Sequence, residues 1–401
     1  MKLHFKDQAF SFELLRAASY AGYQGAEIGE CLATASNIKE GDFNSWFKEW
    51  EKTAKRVEGI GENCLASGHV ISGREALLRA SNYYRTAEFF LKSSDSRRDE
   101  NYKKSVSTFQ KAMSEMDFHY EQVKIPYGNS YMAGYFYRAL DYDKNIKPSP
   151  TLIFIGGFDS TAEESYFCGA APAIKRGYNC LIFDGPGQGE TLRIQKIPTR
   201  VDYEVPVGAA IDYLKTRSDV NMDKLSLVGM SMGGYYAPRA AAFEKRIKAC
   251  VAYDVFYDLW SSTINQNPKL KLLEGRSPAI IEIMIKFAGK INSNLRWGIQ
   301  NSLWVFGLDH RSEIPDTIKK YSLRGIADKI DCPFLILVSE ADHFVSPEQV
   351  DELVNELTCS NTIRVFTREE GAEEHCQEGN HALFHQVMFD WLDDIFKPDI
   401  K

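Results

Sequence analysis

The chain has 401 residues, 44% hydrophobic and 26% charged, with a formal charge of −7 at pH 7. That length exceeds one ordinary domain, and the balance suits a sizeable core carrying an attached second unit. There is no basic excess to draw nucleic acid or an anionic membrane, no leader pattern at Met1-Lys-Leu-His-Phe-Lys-Asp7 and no apolar run of 18 residues, so the expectation is a cytoplasmic protein with neither kind of partner.

From the N-terminus, apolar residues recur at three- and four-residue spacing over residues 10–20, 43–64, 73–90 and 102–116, with breaks at Ser67-Gly68 and Ser72-Gly73. Residues 1–117 are therefore expected as an all-helical cap. Its aromatic stripe (Phe43, Trp46, Phe47, Trp50, Tyr83, Tyr84, Phe89, Phe90) reads as core packing rather than ligand contact. From Phe118 the period shortens to two. Residues 120–125 and 131–139, split by Pro126-Tyr-Gly-Asn-Ser130, predict an antiparallel hairpin. Strands at 151–155, 179–183, 225–228 and 247–252 then alternate with helices near 164–175, 203–217 and 235–245, which means crossover units on a mostly parallel sheet. Between 254 and 330 the alternation gives way to helical segments rich in large residues (Trp260, Phe287, Trp297, Trp304, Phe306). An insertion this late in the sheet lies over the strands' carboxyl ends, so 254–330 is read as a lid. A strand at 333–338, a helix at 347–357, a strand at 362–366 and a helix at 381–396 complete the pattern. The fold class is α/β, with 118–253 and 331–401 forming the catalytic unit.

The segment that organises this pattern is Lys224-Leu-Ser-Leu-Val-Gly-Met-Ser-Met-Gly-Gly-Tyr236. A strand of apolar residues runs into Gly229-Met-Ser-Met-Gly233, and an Ala-rich helix follows. Glycines two before and two after Ser231 suit a turn in which backbone approaches backbone, leaving a strained, exposed hydroxyl at a helix N-terminus. This is the pattern of a nucleophile elbow, and it calls for an acid and then a histidine downstream. Upstream, Gly156-Gly-Phe-Asp-Ser-Thr-Ala-Glu-Glu-Ser165 follows a strand, and its paired glycines let the loop fold close to Ser231. The N–H groups of Phe158 and Met232 are then the expected oxyanion hole. Asp184-Gly-Pro-Gly-Gln-Gly-Glu190 is a second glycine loop whose spacing does not fit a dinucleotide fingerprint.

For the acid, Ser339-Glu-Ala-Asp-His-Phe-Val-Ser-Pro347 follows a strand, and Asp342 is preferred, with Glu340 the substitute. For the base, His375 sits in the loop Glu369-Glu-Gly-Ala-Glu-Glu-His-Cys-Gln377 and is preferred over His381, which falls with His385 on the last helix. The His381/His385 pair lacks the intervening Glu of a zincin helix, so no metal is expected. Eight cysteines without a C-x-x-C pair suggest neither a zinc knuckle nor a disulfide framework. No organic cofactor is called for.

These motifs, together with Gly185-Pro-Gly-Gln-Gly189, Glu340-Ala-Asp342 and Glu374-His-Cys-Gln377, resemble the α/β-hydrolase superfamily over residues 118–400. They resemble in particular its branch containing FrsA-like esterases, 2,6-dihydropseudooxynicotine hydrolase and polyketide-shortening hydrolases. The resemblance implies a helical N-terminal segment over the site, a homodimer, and an auxiliary glutamate that maps to Glu163 or Glu164; Asp159 in the same loop is a further candidate to touch substrate. It also supports His375 through the His-Cys pair. Three readings follow: a serine hydrolase acting on a small, partly apolar acyl, ester or β-diketone-like substrate; an acylaminoacyl-type peptidase; and a non-catalytic binding module on the same fold.

Overall fold

The computed structural model describes residues 1–140 and 147–397; positions 141–146 and 398–401 of the expected catalytic unit lie outside the described residues. Five helices come first: α1 (Gln8–Ser19), α2 (Ile28–Ala35), α3 (Phe43–Ala66), α4 (Val70–Glu88) and α5 (Ser96–Ser114). α1, α3 and α5 start where an aspartate (Asp7, Asp42, Asp95) accepts hydrogen bonds from first-turn N–H groups. α2, a short helix with polar flanks, has no counterpart among the expected elements.

The sheet has eight strands. β1 (Tyr120–Tyr127) and β2 (Ser130–Tyr137) form the antiparallel hairpin, closing at Gly128 and Asn129, with Gly128 at φ 55°. β3 (Ser149–Ile155) follows, then the short helices α6 (Ala162–Ser165) and α7 (Ala171–Ile174) around a wider turn, then β4 (Asn179–Phe183). Next come α8 (Gly189–Arg193), α9 (Glu204–Lys215), β5 (Val220–Met230), α10 (Gly233–Phe243) and β6 (Ala249–Tyr253). The insertion carries α11 (Leu259–Gln266), α12 (Pro278–Ile291), α13 (Ser293–Val305) and α14 (Ile314–Ile318). β7 (Phe334–Ser339), α15 (Gln349–Glu356), β8 (Asn361–Phe366) and α16 (His381–Phe396) complete the chain. The spatial order is β1-β2-β4-β3-β5-β6-β7-β8, parallel from β4 to β8 and antiparallel at β1 and β2.

Alternation along the strands decides which face each residue serves. On β3, Ile153 and Ile155 join the cluster under α9 and α10, whereas Leu152 and Phe154 join the opposite cluster under α16. β5 repeats this with Leu225 and Leu227 on one side and Val228 and Met230 on the other. A sheet buried on both faces reads as near-continuous hydrophobic strands, and each fully buried Leu or Ile contributes about 1.5–3 kcal/mol. The N-terminal helices hold a third cluster around Trp46, Trp50 and Phe90, so the aromatic stripe packs as core. Phe89 of that cluster stacks on Trp297 of α13 at 4.8 Å, and Trp297 belongs to the same cluster, joining the first helices to the insertion.

The first helices are also tied to the sheet by buried ions. Arg16 Nη1 lies 2.9 Å from Asp159 and its Nε 2.8 Å from Glu164; Arg85 pairs with Asp159 and, at 3.0 Å, with Glu164. Breaking such a pair strands an uncompensated charge, which costs about 3–5 kcal/mol.

Candidate active site

β5 ends at Met230 and α10 begins at Gly233, which leaves Ser231 on the bend with φ 57°. Its N–H donates to Tyr253 O at 2.9 Å, and its carbonyl accepts from Gly234 N at 2.6 Å. Only glycine fits at two neighbouring positions: a Cβ at Gly229 would lie 1.9 Å from Gly233 O, and one at Gly234 would lie 2.1 Å from Asp254 O. The strand-to-helix crossing, rather than local propensity, imposes both residues.

Ser231 Oγ stands 2.8 Å from His375 Nε2, and His375 Nδ1 stands 2.6 Å from Asp342 Oδ2. Asp342 Oδ1 accepts the N–H groups of Phe344 (2.7 Å) and Val345 (2.9 Å), so both carboxyl oxygens are fixed. Burial alone would raise the Asp342 pKa, but the contact with His375 holds it below the usual carboxylate range. Burial would lower that of His375, and Asp342 more than offsets this, leaving it raised. With Nδ1–H aimed at the carboxylate, Nε2 is free to accept the serine proton, the arrangement a nucleophilic hydroxyl needs.

Two residues of this centre escaped the sequence reading. Asp254, directly after β6, places Oδ2 3.5 Å from His375 Nδ1 and accepts from Gln377 Nε2 (3.1 Å), Ser339 Oγ (3.2 Å) and the Cys376 N–H. Burial, reinforced by Asp342, pushes it up to about 8. The signal was present, since an acid at the carboxyl end of a strand is the same pattern that selected Asp342. His343 lies between Phe12 and Phe344, and burial pulls it down to about 3, so it is neutral.

The alternatives lie elsewhere. Glu340 accepts from Arg368 N at 2.8 Å, His381 Nε2 faces Glu378 at 3.1 Å, and His385 is bound to Cys168 O and Tyr23 Oη. Among the described residues, Asp254, His375 and Cys376 bring potential metal-ligand atoms together. His375 and Asp254 are committed to the hydrogen bonds above, and burial keeps the Cys376 thiol well above its usual pKa, so the trio does not offer a free donor set.

Gly157 packs against the serine: a Cβ there would lie 2.8 Å from Ser231 Cβ. Its N–H is taken by Ser160 Oγ at 2.6 Å, and the Phe158 carbonyl accepts from Asn301 at 3.2 Å. Among the described residues the N–H groups of Phe158 and Met232 have no hydrogen-bond acceptor in the protein. Gln188 of the second glycine loop braces this segment, donating to Gly156 O at 2.6 Å and Gly157 O at 3.1 Å. That loop thus has a positional role that spacing alone did not reveal. Glu163 and Glu164 are not brought to the serine: Glu163 accepts from Tyr135 Oη at 2.7 Å, and Glu164 is bound by Arg16, Arg85 and Tyr20. Asp159 does reach the cavity that Ser231 lines, a space of about 440 Å³. Further walls come from α1, α11, α12, α13, α14 and the loops after β7 and β8.

Over residues 152–386 the chain matches the alpha/beta hydrolase family. The chain belongs to the α/β-hydrolase family. The hydrolase is 33% identical to 20-hydroxy-prefusarin hydrolase FUS2 of Gibberella moniliformis over 98% of its own length and 97% of the relative's. It is 35% identical to hydrolyase poxO of Penicillium oxalicum over 91% and 88%. Among solved structures, 2,6-dihydroxy-pseudo-oxynicotine hydrolase superposes with a TM-score of 0.73 at 25% identity, covering 94% of this chain and 95% of that one. Coverage of that extent takes in the N-terminal helices and the insertion as well as the sheet, so the hydrolase is an enzyme of the branch its motifs resemble. Among the described residues, no helix is long and apolar enough to cross a membrane.

Proposed function

We propose that this hydrolase is a serine enzyme that cleaves an ester, or the C–C bond of a β-diketone-like group, in a small, partly apolar substrate. The observation that carries this reading is the hydrogen-bonded series Asp342–His375–Ser231 opening on a cavity walled by Phe12, Trp260, Leu295, Trp297 and Phe306. A volume of about 440 Å³ suits a small molecule rather than a polypeptide. His375 takes the Ser231 proton as Oγ adds to the substrate carbonyl, and Asp342 supports the imidazolium. The N–H groups of Phe158 and Met232 receive the developing oxyanion. Collapse expels an alkoxide from an ester or an enolate from a diketone, and His375 returns the proton to it. Water, activated by the same histidine, then releases the acyl group as a carboxylic acid. On this reading residues 1–117 act as a cap and 254–330 as a lid on the catalytic unit.

The test pairs fluorophosphonate labelling with turnover of a p-nitrophenyl ester and of a 1,3-diketone sharing its acyl group. Labelling at Ser231, with label and turnover both lost in Ser231→Ala, supports the reading. Persistent turnover in Ser231→Ala would defeat it, and the ratio of the two substrates says which bond is the better target.

A further inference from the structure

One wall of the cavity is made by α1, which contributes Phe12, Glu13 and Arg16. An arginine in a substrate cavity suggests a receptor for a carboxylate, but Arg16 is fully engaged: its Nη1 lies 2.9 Å from Asp159, and its Nη2 donates to Glu164 at 2.9 Å. Arg85 is held by the same two acids. Three carboxyls, Glu13, Asp159 and Glu164, thus surround two guanidiniums out of water.

Glu13 is the one left over. It stands 3.6 Å from Arg16 Nη1 and 3.5 Å from Arg85 Nη1, and neither of its oxygens forms a hydrogen bond among the described residues. Its side chain is 4% exposed, and Oε2 is sealed without a partner, which leaves Oε1 as the oxygen able to meet a ligand. Burial, with Asp159 and Glu164 adding to it against Arg16 and Arg85, pushes Glu13 up to about 8, so near pH 7 the carboxyl keeps its proton. A neutral carboxyl is a hydrogen-bond donor. Buried polar groups left unpaired in a native fold call for a partner the protein itself does not supply.

We propose that Glu13 is a specificity-determining residue: its carboxyl donates to a carbonyl or hydroxyl oxygen of the substrate remote from the bond that breaks. This rests on the serine-hydrolase reading, which seats the scissile bond at Ser231. The subsite recognises a neutral oxygen and disfavours a carboxylate, because Asp159 and Glu164 already neutralise the two guanidiniums and leave no net positive charge to hold an anion.

The test uses p-nitrophenyl esters of one chain length whose acyl part is plain, carries a ketone walked along the chain, or ends in a carboxylate. kcat and KM are measured on the unsubstituted protein, and affinity for the same esters is measured calorimetrically on Ser231→Ala. At one ketone position the keto ester is favoured over the plain ester by about tenfold, chiefly in KM, the worth of one buried hydrogen bond. The carboxylate ester is the poorest of the three. Glu13→Leu brings the ketone preference close to one, and Glu13→Gln, which keeps an N–H donor, retains most of it. A ketone preference absent at every position, a carboxylate preferred over the ketone, or a preference undiminished in Glu13→Leu overturns the proposal. Should Glu13→Leu fail to fold, the order of the three esters on the unsubstituted protein decides. If no ester turns over, the serine reading falls on its own, and the binding order on Ser231→Ala still tests the donor.

Discussion

Two carboxylates approach the same nitrogen of His375, and the proposed mechanism gives them unequal roles. Coulomb attraction alone does not separate them: at an effective dielectric near 20, distances of 2.6 and 3.5 Å correspond to roughly 6 and 5 kcal/mol. The hydrogen separates them, because Nδ1 carries one proton and only Asp342 is within hydrogen-bonding range. Asp254, pushed up to about 8, is also largely uncharged at neutral pH, so the amide of Asp254→Asn changes little charge and keeps an oxygen for the Cys376 N–H. Asp342→Asn removes the charge that stabilises the imidazolium and lets the imidazole adopt the wrong tautomer. The expected loss in kcat is about 10³–10⁴-fold, or roughly 4–5.5 kcal/mol. Asp254→Asn should cost no more than about tenfold, the worth of one imperfect hydrogen bond. The assay is ester hydrolysis with both variants matched by circular dichroism, alongside the rate of fluorophosphonate labelling. A loss in Asp254→Asn equal to or larger than that in Asp342→Asn would refute the assignment.

The raised pKa of His375 means that the neutral, base-competent imidazole forms only above the ordinary 6.5, so kcat/KM should climb with pH through a midpoint above that value, and the midpoint should fall in Asp342→Asn. Gly229→Ala would press a methyl against the Gly233 carbonyl; a drop of about 3 kcal/mol or more in a urea melt is expected, well beyond an ordinary glycine-to-alanine change. Arg85→Met strands Asp159 and Glu164 beside a single guanidinium and should lower stability by about 3–5 kcal/mol at pH 7, measured the same way. Between pH 4.5 and about 8 the folded chain keeps a proton on Glu13 that the unfolded chain has released, so this group makes stability fall as pH rises across that window. Glu13→Gln should flatten that part of the pH–stability curve.

The sheet and its crossovers could be read in advance because burial on both faces leaves unbroken apolar strands, while the surface helices show a period near four. The last helix was placed at its observed bounds, and Ser231, Asp342 and His375 were singled out by local rules about turns, strand ends and loops. What escaped depends on residues distant in sequence. Glu13 and Arg16 sit in an amphipathic stretch whose only local meaning is packing, and their place in the cavity follows from how α1 docks against the loop after β3. Glu163 and Glu164 carried a resemblance rather than a geometric argument, and the fold turns them toward Tyr135 and the arginines. Asp254 stands where the strand–helix alternation stops, so an element boundary masks the local pattern of an acid at a strand's carboxyl end.

Asp159 follows Phe158 directly, and its carboxylate is gripped by guanidiniums from α1 and α4, one of them 143 positions upstream. The position of the Phe158 N–H is therefore set from the far end of the chain. A fragment begun at residue 118 would keep every member of the serine–histidine–aspartate set and still strand two acids in an apolar setting, free to pull their loop out of register. Any chimera that fits this sheet with a different set of leading helices must supply two cations at the same points before it can be expected to turn over.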